Sequence, residues 1–250
     1  MYDQVSFESD SRAALAVFWG GLWVAIGAFG VVITSVLYAI SPALAVLPIA
    51  NVPLAEARQA AVAGQQWMLA AGSVGLFADV ALATGAFLLM VYRRPGGSGS
   101  ETPGWAWLAI TNLIFVVVDA LVSQVLAPVA ASGGPEGAFS GFKHLSDILF
   151  IIGTITFGIG SISVLWSEVR SGSPVVPRVI GFIGIAVGGV GLVSALSYFA
   201  GINLAQFIGG TIGAGSLIFT IVGIQIARTA LLTMRANTHP APRLPEQQKR

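Results

Sequence analysis

QWMLAAGSVGLFADVALATGAFLLMVY, residues 66–92, is the stretch that decides the fold. A transmembrane helix needs about 20 mostly apolar residues, and this run exceeds that length with one ionisable side chain, Asp79. Read outward in both directions, the same pattern recurs. A first span runs roughly Ala13 to Ile40 with no charge at all, and a third runs roughly Trp105 to Ala131 with Asn112, Asp119 and Gln124 inside it. The fourth runs Leu145 to Trp166 with Asp147 near its start, the fifth Val179 to Phe199 and the sixth Leu204 to Ile226. The expected fold is therefore all-α: a polytopic membrane protein built as a six-transmembrane-helix bundle over residues 13–234. A cytoplasmic segment, residues 1–12, precedes the bundle, and a disordered cytoplasmic tail, residues 235–250, follows it.

Composition agrees. Charged residues make up 9% of the chain, against about 25% in a soluble domain, so lipid must solvate most of its surface. Cysteine is absent, which excludes disulfide staples, thiolate catalysis, cysteine-ligated metals and lipidation through cysteine. Two distant histidines and no cysteine cannot build the usual metal ligand sets, so neither a metal nor a cofactor is expected. No G-xxxx-GK-[ST] loop and no G-x-S-x-G elbow is present. No basic patch is interleaved with stacking aromatics, so nucleic acid is not a partner. Expected partners are the lipid bilayer and either a second copy of the chain or another membrane protein. Met1 to Arg12 carries Asp3, Glu8 and Asp10. That acidic flank and the long apolar run after it read as a retained helix rather than a signal peptide.

Lysine and arginine set the orientation. One side of a six-span chain collects Arg12, Arg93, Arg94, Arg170, Arg178, Arg228, Arg235, Arg243, Lys249 and Arg250, while the other has Arg58 and Lys143. Both termini are thus expected in the cytoplasm, in a bacterial-type inner membrane. Trp19, Tyr92, Trp105, Trp107 and Trp166 would mark the inner interface, and Tyr38, Trp67 and Tyr198 the outer one. Arg93–Ser100 and Ser171–Arg178 read as turns. The segment Ser41–Gly64, with Pro42, Pro48 and Pro53, either lies in the interface or caps the bundle. The polar, proline-rich tail is expected to be disordered.

Glycine brings helices together in lipid. Gly184/Gly188 and Gly209/Gly213 each form a G-xxx-G spacing, and their spans are joined by a short connector. The preferred reading is tight antiparallel packing of spans five and six. The alternatives are a dimer face or a substrate path lined by bare backbone.

Asp79 and Asp119 are the sharp functional lead. Each lies about 14 residues, or about 21 Å, from the inner end of its span, so the carboxyls share a depth slightly outside the midplane. No basic side chain lies within the spans to pair with them. Ionisable groups at this depth are costly and are functional candidates by default. At least one is expected to carry its proton at neutral pH, as a proton relay or cation site requires. The bland reading is helix glue, with hydrogen bonds to Ser73, Thr84, Thr111, Asn112, Ser123 or Gln124. Lys143, His144 and Asp147 form a cluster at the outer mouth of span four. His144 there is either a pH-sensitive group or, as preferred, part of an ordinary interfacial anchor.

The pattern from Phe142 to Gly189 carries a family resemblance. His144-Leu145 opens a span ending Phe157-Gly158-Ile159-Gly160, and a turn with Ser171, Pro174, Pro177 and Arg178 leads into Val179-Ile180-Gly181. This resembles the bacterial integral-membrane family catalogued as domain of unknown function 4386, over roughly residues 13 to 228. The resemblance implies six spans and no activity. The expected function is movement of protons, cations or a small solute past Asp79 and Asp119. The rival is a non-transporting scaffold or assembly partner, and an intramembrane enzyme is third, so a non-enzymatic role is preferred. Pro128 and the glycines of the last two spans would allow broken helices, but the two halves of the chain show no repeat.

Overall fold

Proline places most of the helix boundaries. A computed structural model describes residues 2–50, 52–92, 101–202 and 204–238. Helix α1, Tyr2–Ala39, stops ahead of Ser41, which is extended (φ −125°, ψ 158°) because the following Pro42 disfavours helical backbone there. Two 3₁₀ turns follow, Pro42–Val46 and Pro48–Ala50, each opened by its proline. Pro53 precedes the short helix α2, Leu54–Ala63, and α3 is Gln65–Val91. Helix α4, Glu101–Ala120, runs into a π-helical segment, Leu121–Leu126, and then α5, Ala127–Ala131. Pro135 and Pro177 precede α6, Glu136–Arg170, and α7, Arg178–Phe199.

Helix α7 ends in a Schellman motif. Gly201, at φ +70°, donates its N–H to Tyr198, and the Ile202 N–H reaches Ser197. Helix α8, Gln206–Thr238, completes the chain. Among the described residues there is no strand.

Six of these helical stretches are long and apolar enough to cross a bilayer, with α4, the π segment and α5 forming one of them. The protein is a multi-pass, all-α membrane protein. Its helices overrun the expected spans: α1 starts at Tyr2, α6 at Glu136, and α8 continues past Arg235 to Thr238. The tail expected to be disordered therefore begins as helix, and its remainder, 239–250, lies outside the described residues, as does the turn at 93–100.

Six crossings put both chain ends on one face of the bundle, hereafter the terminal side; the other is the loop side. Sequence neighbours pack together around the ring, and α1 closes it by lying against α8. The closest approaches are backbone to backbone. A Cβ on Gly21 would stand 2.7 Å from the Ala227 nitrogen, and one on Gly223 would stand 2.6 Å from the Gly21 carbonyl oxygen. Gly27 meets Ala78 and Leu82 of α3 just as tightly, with a Cβ 2.5 Å from the Leu82 nitrogen.

The expected pairing of the two G-xxx-G motifs is not what holds the bundle. Gly184 and Gly188 face α6, at Leu165 and at Ser161 and Ile162, with Ile218 of α8 also 3.4 Å from a Cβ on Gly184, while Gly209 and Gly213 look towards Ile49 and Ser35. Helix α7 packs mainly on α6 and α8 mainly on α1, so the seam between α7 and α8 is the looser one. The short connector adjoins them without bringing the motifs face to face.

The outward faces are apolar. Phe29, Phe77, Phe87, Leu113, Phe182 and Val193 are each more than half exposed, a surface that suits hydrocarbon and not water. Two aromatics leave their expected interfacial places. Trp105 is buried in the terminal-side core with its ring 6.1 Å from that of Phe219, and Tyr38 is buried inside the loop-side half.

Candidate functional site: a carboxyl pair beneath a roofed cavity

Asp79 and Asp119 meet. Asp79 lies midway along α3, and Asp119 is the penultimate residue of α4. They are 4% and 8% exposed, and their carboxyl groups are in hydrogen-bond contact. Two carboxyl groups can hydrogen-bond each other only if one of them carries a proton. Gly75, one turn before Asp79, makes the contact geometrically open: a Cβ there would fall on the Asp119 carboxylate. Gly72, a turn earlier, admits Ser123 in the same way, a Cβ there standing 2.5 Å from the Ser123 Cβ.

The π segment begins two residues after Asp119. Pro128 has no N–H to give Gln124 and would clash with that carbonyl in an α-helix. The wider turn relieves this: the Ala127 N–H reaches back five residues to the Val122 carbonyl, and Ser123 Oγ donates to the Asp119 carbonyl at 2.6 Å. Wide turns of this kind recur at functional sites. The helix break admitted at Pro128 by the sequence is thus a local widening that ends two residues before the proline.

Of the expected glue partners, Thr84, Asn112, Ser123 and Gln124 bond within their own helical stretch, and Ser73 is exposed. Thr84 Oγ1 donates to Val80, Asn112 Nδ2 to Leu108, and Gln124 Nε2 to Ser123 Oγ. Thr111 Oγ1 donates to the Trp107 carbonyl and crosses only to Thr156 on α6. Asn112 is buried but turned to its own backbone, and Gln124 is exposed on the outside of the bundle. Neither joins the carboxyl pair.

Above the pair is a cavity of about 530 Å³. Its walls are the last two turns of α1, Phe115 and Val118 of α4, Phe150 of α6, and Gly209, Gly210, Ile212 and Gly213 of α8. Its roof comes from the proline-punctuated segment through Leu44, Leu47, Ile49 and Ala50. Part of Ser41–Gly64 therefore caps the bundle. Helix α2 holds the roof from behind: Ala57 and Ala61 are fully buried, and Arg58 donates to the Gly134 carbonyl at 2.5 Å.

Two hydroxyls in the cavity wall have no hydrogen-bond partner, Thr34 Oγ1 and Tyr38 Oη, although both atoms are buried. They sit one turn apart on α1 and line the same cavity as Asp119. Among the described residues no lysine, arginine or histidine lines the cavity. The helices that close so tightly at Gly21 and Gly223 have splayed by this level. A Cβ on Gly213 would find only Ser35, at 3.8 Å, and one on Gly210 would find nothing within 4 Å. Val36, Ala39, Gln206 and Gly210 line the cavity and are exposed, so it opens between the ends of α1 and α8.

The outer-mouth residues stand apart from this site. Lys143 and Asp147 form an ion pair at 2.6 Å along α6, one turn apart, and His144 is exposed. None of the three lines the cavity. Among the described residues no three His, Asp or Glu side chains cluster as a metal site.

Thr34, Gly75 and the place of Tyr38 in the site escaped the sequence reading, whereas a cap from Ser41–Gly64 was one of its two alternatives. The one available signal was the four-residue spacing of Thr34 and Tyr38 near the end of a span whose one other hydroxyl is Ser35. No protein-family model, curated protein or solved structure matches the chain.

Proposed function

We propose that the protein moves a small solute across a bacterial-type inner membrane, exchanging it for a proton on the Asp79–Asp119 pair. One observation carries this reading: the two carboxyls touch each other at the floor of a cavity that opens on the loop side. A pair that shares a proton can take up a second one or give it up when a ligand arrives. A proton relay needs such a group within reach of the compartment it serves. The Lys and Arg distribution favours cytoplasmic termini, an orientation in which the cavity would face outward. Membership of the family suggested by the Phe142–Gly189 pattern is part of the same proposal and brings no activity of its own.

The test is proton flux in proteoliposomes carrying an internal pH dye. Asp79→Asn and Asp119→Asn should each lower flux at least tenfold while far-ultraviolet circular dichroism stays unchanged. A wild-type flux that survives both substitutions would sink the reading and leave the pair as helix glue, since asparagine keeps a donor and an acceptor. Cysteine introduced at Ser11 and labelled from one side in intact cells checks the orientation.

A further inference from the structure

The cavity pairs an acidic floor with an aromatic and aliphatic wall, and this combination selects among ligand chemistries. We infer that its ligand is a small organic ammonium ion with an apolar body. This rests on the exchange reading above and names its substrate class.

The floor offers the Asp79 and Asp119 carboxyls with no basic side chain among the described lining residues. An anion would meet uncompensated acidic oxygens there. The hydroxyls of Thr34 and Tyr38 are buried, face the same space and lack partners. An unsatisfied buried hydroxyl is costly, so both are poised for a ligand that brings polar hydrogens or accepts theirs. An ammonium group carries three donors and no acceptor, which fits two carboxyls and a phenol oxygen.

The rings complete the match. Phe115 and Phe150 stand edge to face with centroids 5.7 Å apart, and both line the cavity together with Tyr38. Cations bind to the faces of such rings, most strongly where water is excluded. The roof residues Leu44, Leu47 and Ile49 have nothing polar to offer and would cover the apolar body. A volume of about 530 Å³ lies in the range of small-molecule sites, roughly 300–1,000 Å³. The opening between Val36 and Gly210 admits a compound held at the membrane interface.

Charge balance fixes the exchange. When both carboxyls are protonated the pair is neutral. An arriving ammonium ion displaces one proton to the loop-side medium and leaves a singly protonated pair, so the occupied site is again neutral. Departure of the ion is matched by return of a proton.

Calorimetric titration of the full chain in lipid nanodiscs tests the assignment with three probes of one shape: 2-phenylethylammonium, 2-phenylethanol and phenylacetate. The ammonium ion should bind at least tenfold more tightly than the alcohol, with phenylacetate weakest. Buffers of different ionisation enthalpy should report proton release. The double variant Asp79→Asn, Asp119→Asn should lose the ammonium preference and keep the alcohol affinity, which also demonstrates that it folds. Tyr38→Phe should weaken the ammonium ion severalfold and leave the alcohol within twofold.

A wild type that prefers the alcohol or the carboxylate, or binds none of the three, overturns the cation assignment even where flux still depends on Asp79. If ammonium binding depends on the pair but proton flux does not, the transport reading falls and the cation site stands.

Discussion

The two halves of the bundle are made from the same helices and are filled in opposite ways. On the terminal side Leu82, Trp105, Leu108, Phe219 and Val222 are almost fully buried against one another, and α1 meets α8 at Gly21 and Gly223 with no side chain between. On the loop side α1 and α8 diverge, and the space between them holds a cavity roofed by two 3₁₀ turns. Buried hydroxyls without a partner occur in both halves: Ser161 Oγ lies in the packed one, and Thr34 and Tyr38 line the open one. Thr111 and Asn112 in the packed half satisfy themselves on their own backbone or on Thr156. The packed half forms a tight seal of side chains, whereas two hydroxyls of the open half, Thr34 and Tyr38, face the cavity without a partner.

Removing the seal should have the largest effect. Phe219→Ala takes away the ring between Trp105 and Phe157. Truncation of a buried phenylalanine costs about 3–5 kcal/mol. Thermal unfolding in detergent should record that loss, and proteoliposomes should show a proton leak independent of the carboxyl pair. An unaltered transition would mean that the terminal side is not the tightly packed half.

Gly75→Ala attacks the boundary between the halves. The new Cβ occupies the position of the Asp119 carboxylate, and forcing extra volume into a packed contact costs about 1–3 kcal/mol. Infrared spectra should show the carboxyl C=O band shifting in frequency as the two groups separate. The same substitution at Gly210, where a Cβ meets nothing within 4 Å, should leave both stability and spectrum unchanged.

The roof should respond more mildly. Arg58→Ala removes the bond to the Gly134 carbonyl, worth about 1 kcal/mol for a half-buried group. Hydrogen exchange should quicken at residues 42–50 and stay slow in α3; protection that does not change there would free the roof from any dependence on α2.

The smallest effects give the cleanest contrast. Thr111→Val breaks the Thr111–Thr156 bond, leaves the Thr156 hydroxyl poorer by one partner, and should cost about 1 kcal/mol. Thr34→Val removes a hydroxyl that has no partner and should be neutral or stabilising by up to about 1 kcal/mol. Equal costs at the two positions would show that the open half keeps no unsatisfied groups.

Hydropathy alone made the six crossings legible, because the length of an apolar run needs no tertiary information. The depth of Asp79 and Asp119 was legible too, since 14 residues to each flank set similar heights. Their contact was not. It depends on how α3 and α4 are rotated, and that rotation is fixed by bare backbone at Gly72 and Gly75 against Ser123 and Asp119. Glycine misled at the other end of the chain. Its spacing in α7 and α8 suggested a mutual interface, yet a small residue equally suits a cavity wall, as Gly209 and Gly213 show, or a third helix, as Gly184 and Gly188 show on α6. Tyr38 near a span end reads as an interfacial anchor until the roof that buries it is in place.

The seal also decides where a membrane voltage acts. On the proposed exchange reading, loop-side water in the cavity would carry that medium's potential down to the carboxyl pair, and the drop would fall across the packed half alone. From Asp79 to the end of α3 at Val91 is about 18 Å of helix, against about 30 Å for a whole hydrocarbon core. The full ~2.3 kcal/mol per charge per 100 mV would then be delivered over little more than half the usual distance. A charge leaving the carboxyl pair for the terminal side would feel a field steeper by about that ratio, and one arriving from the loop side would feel almost none.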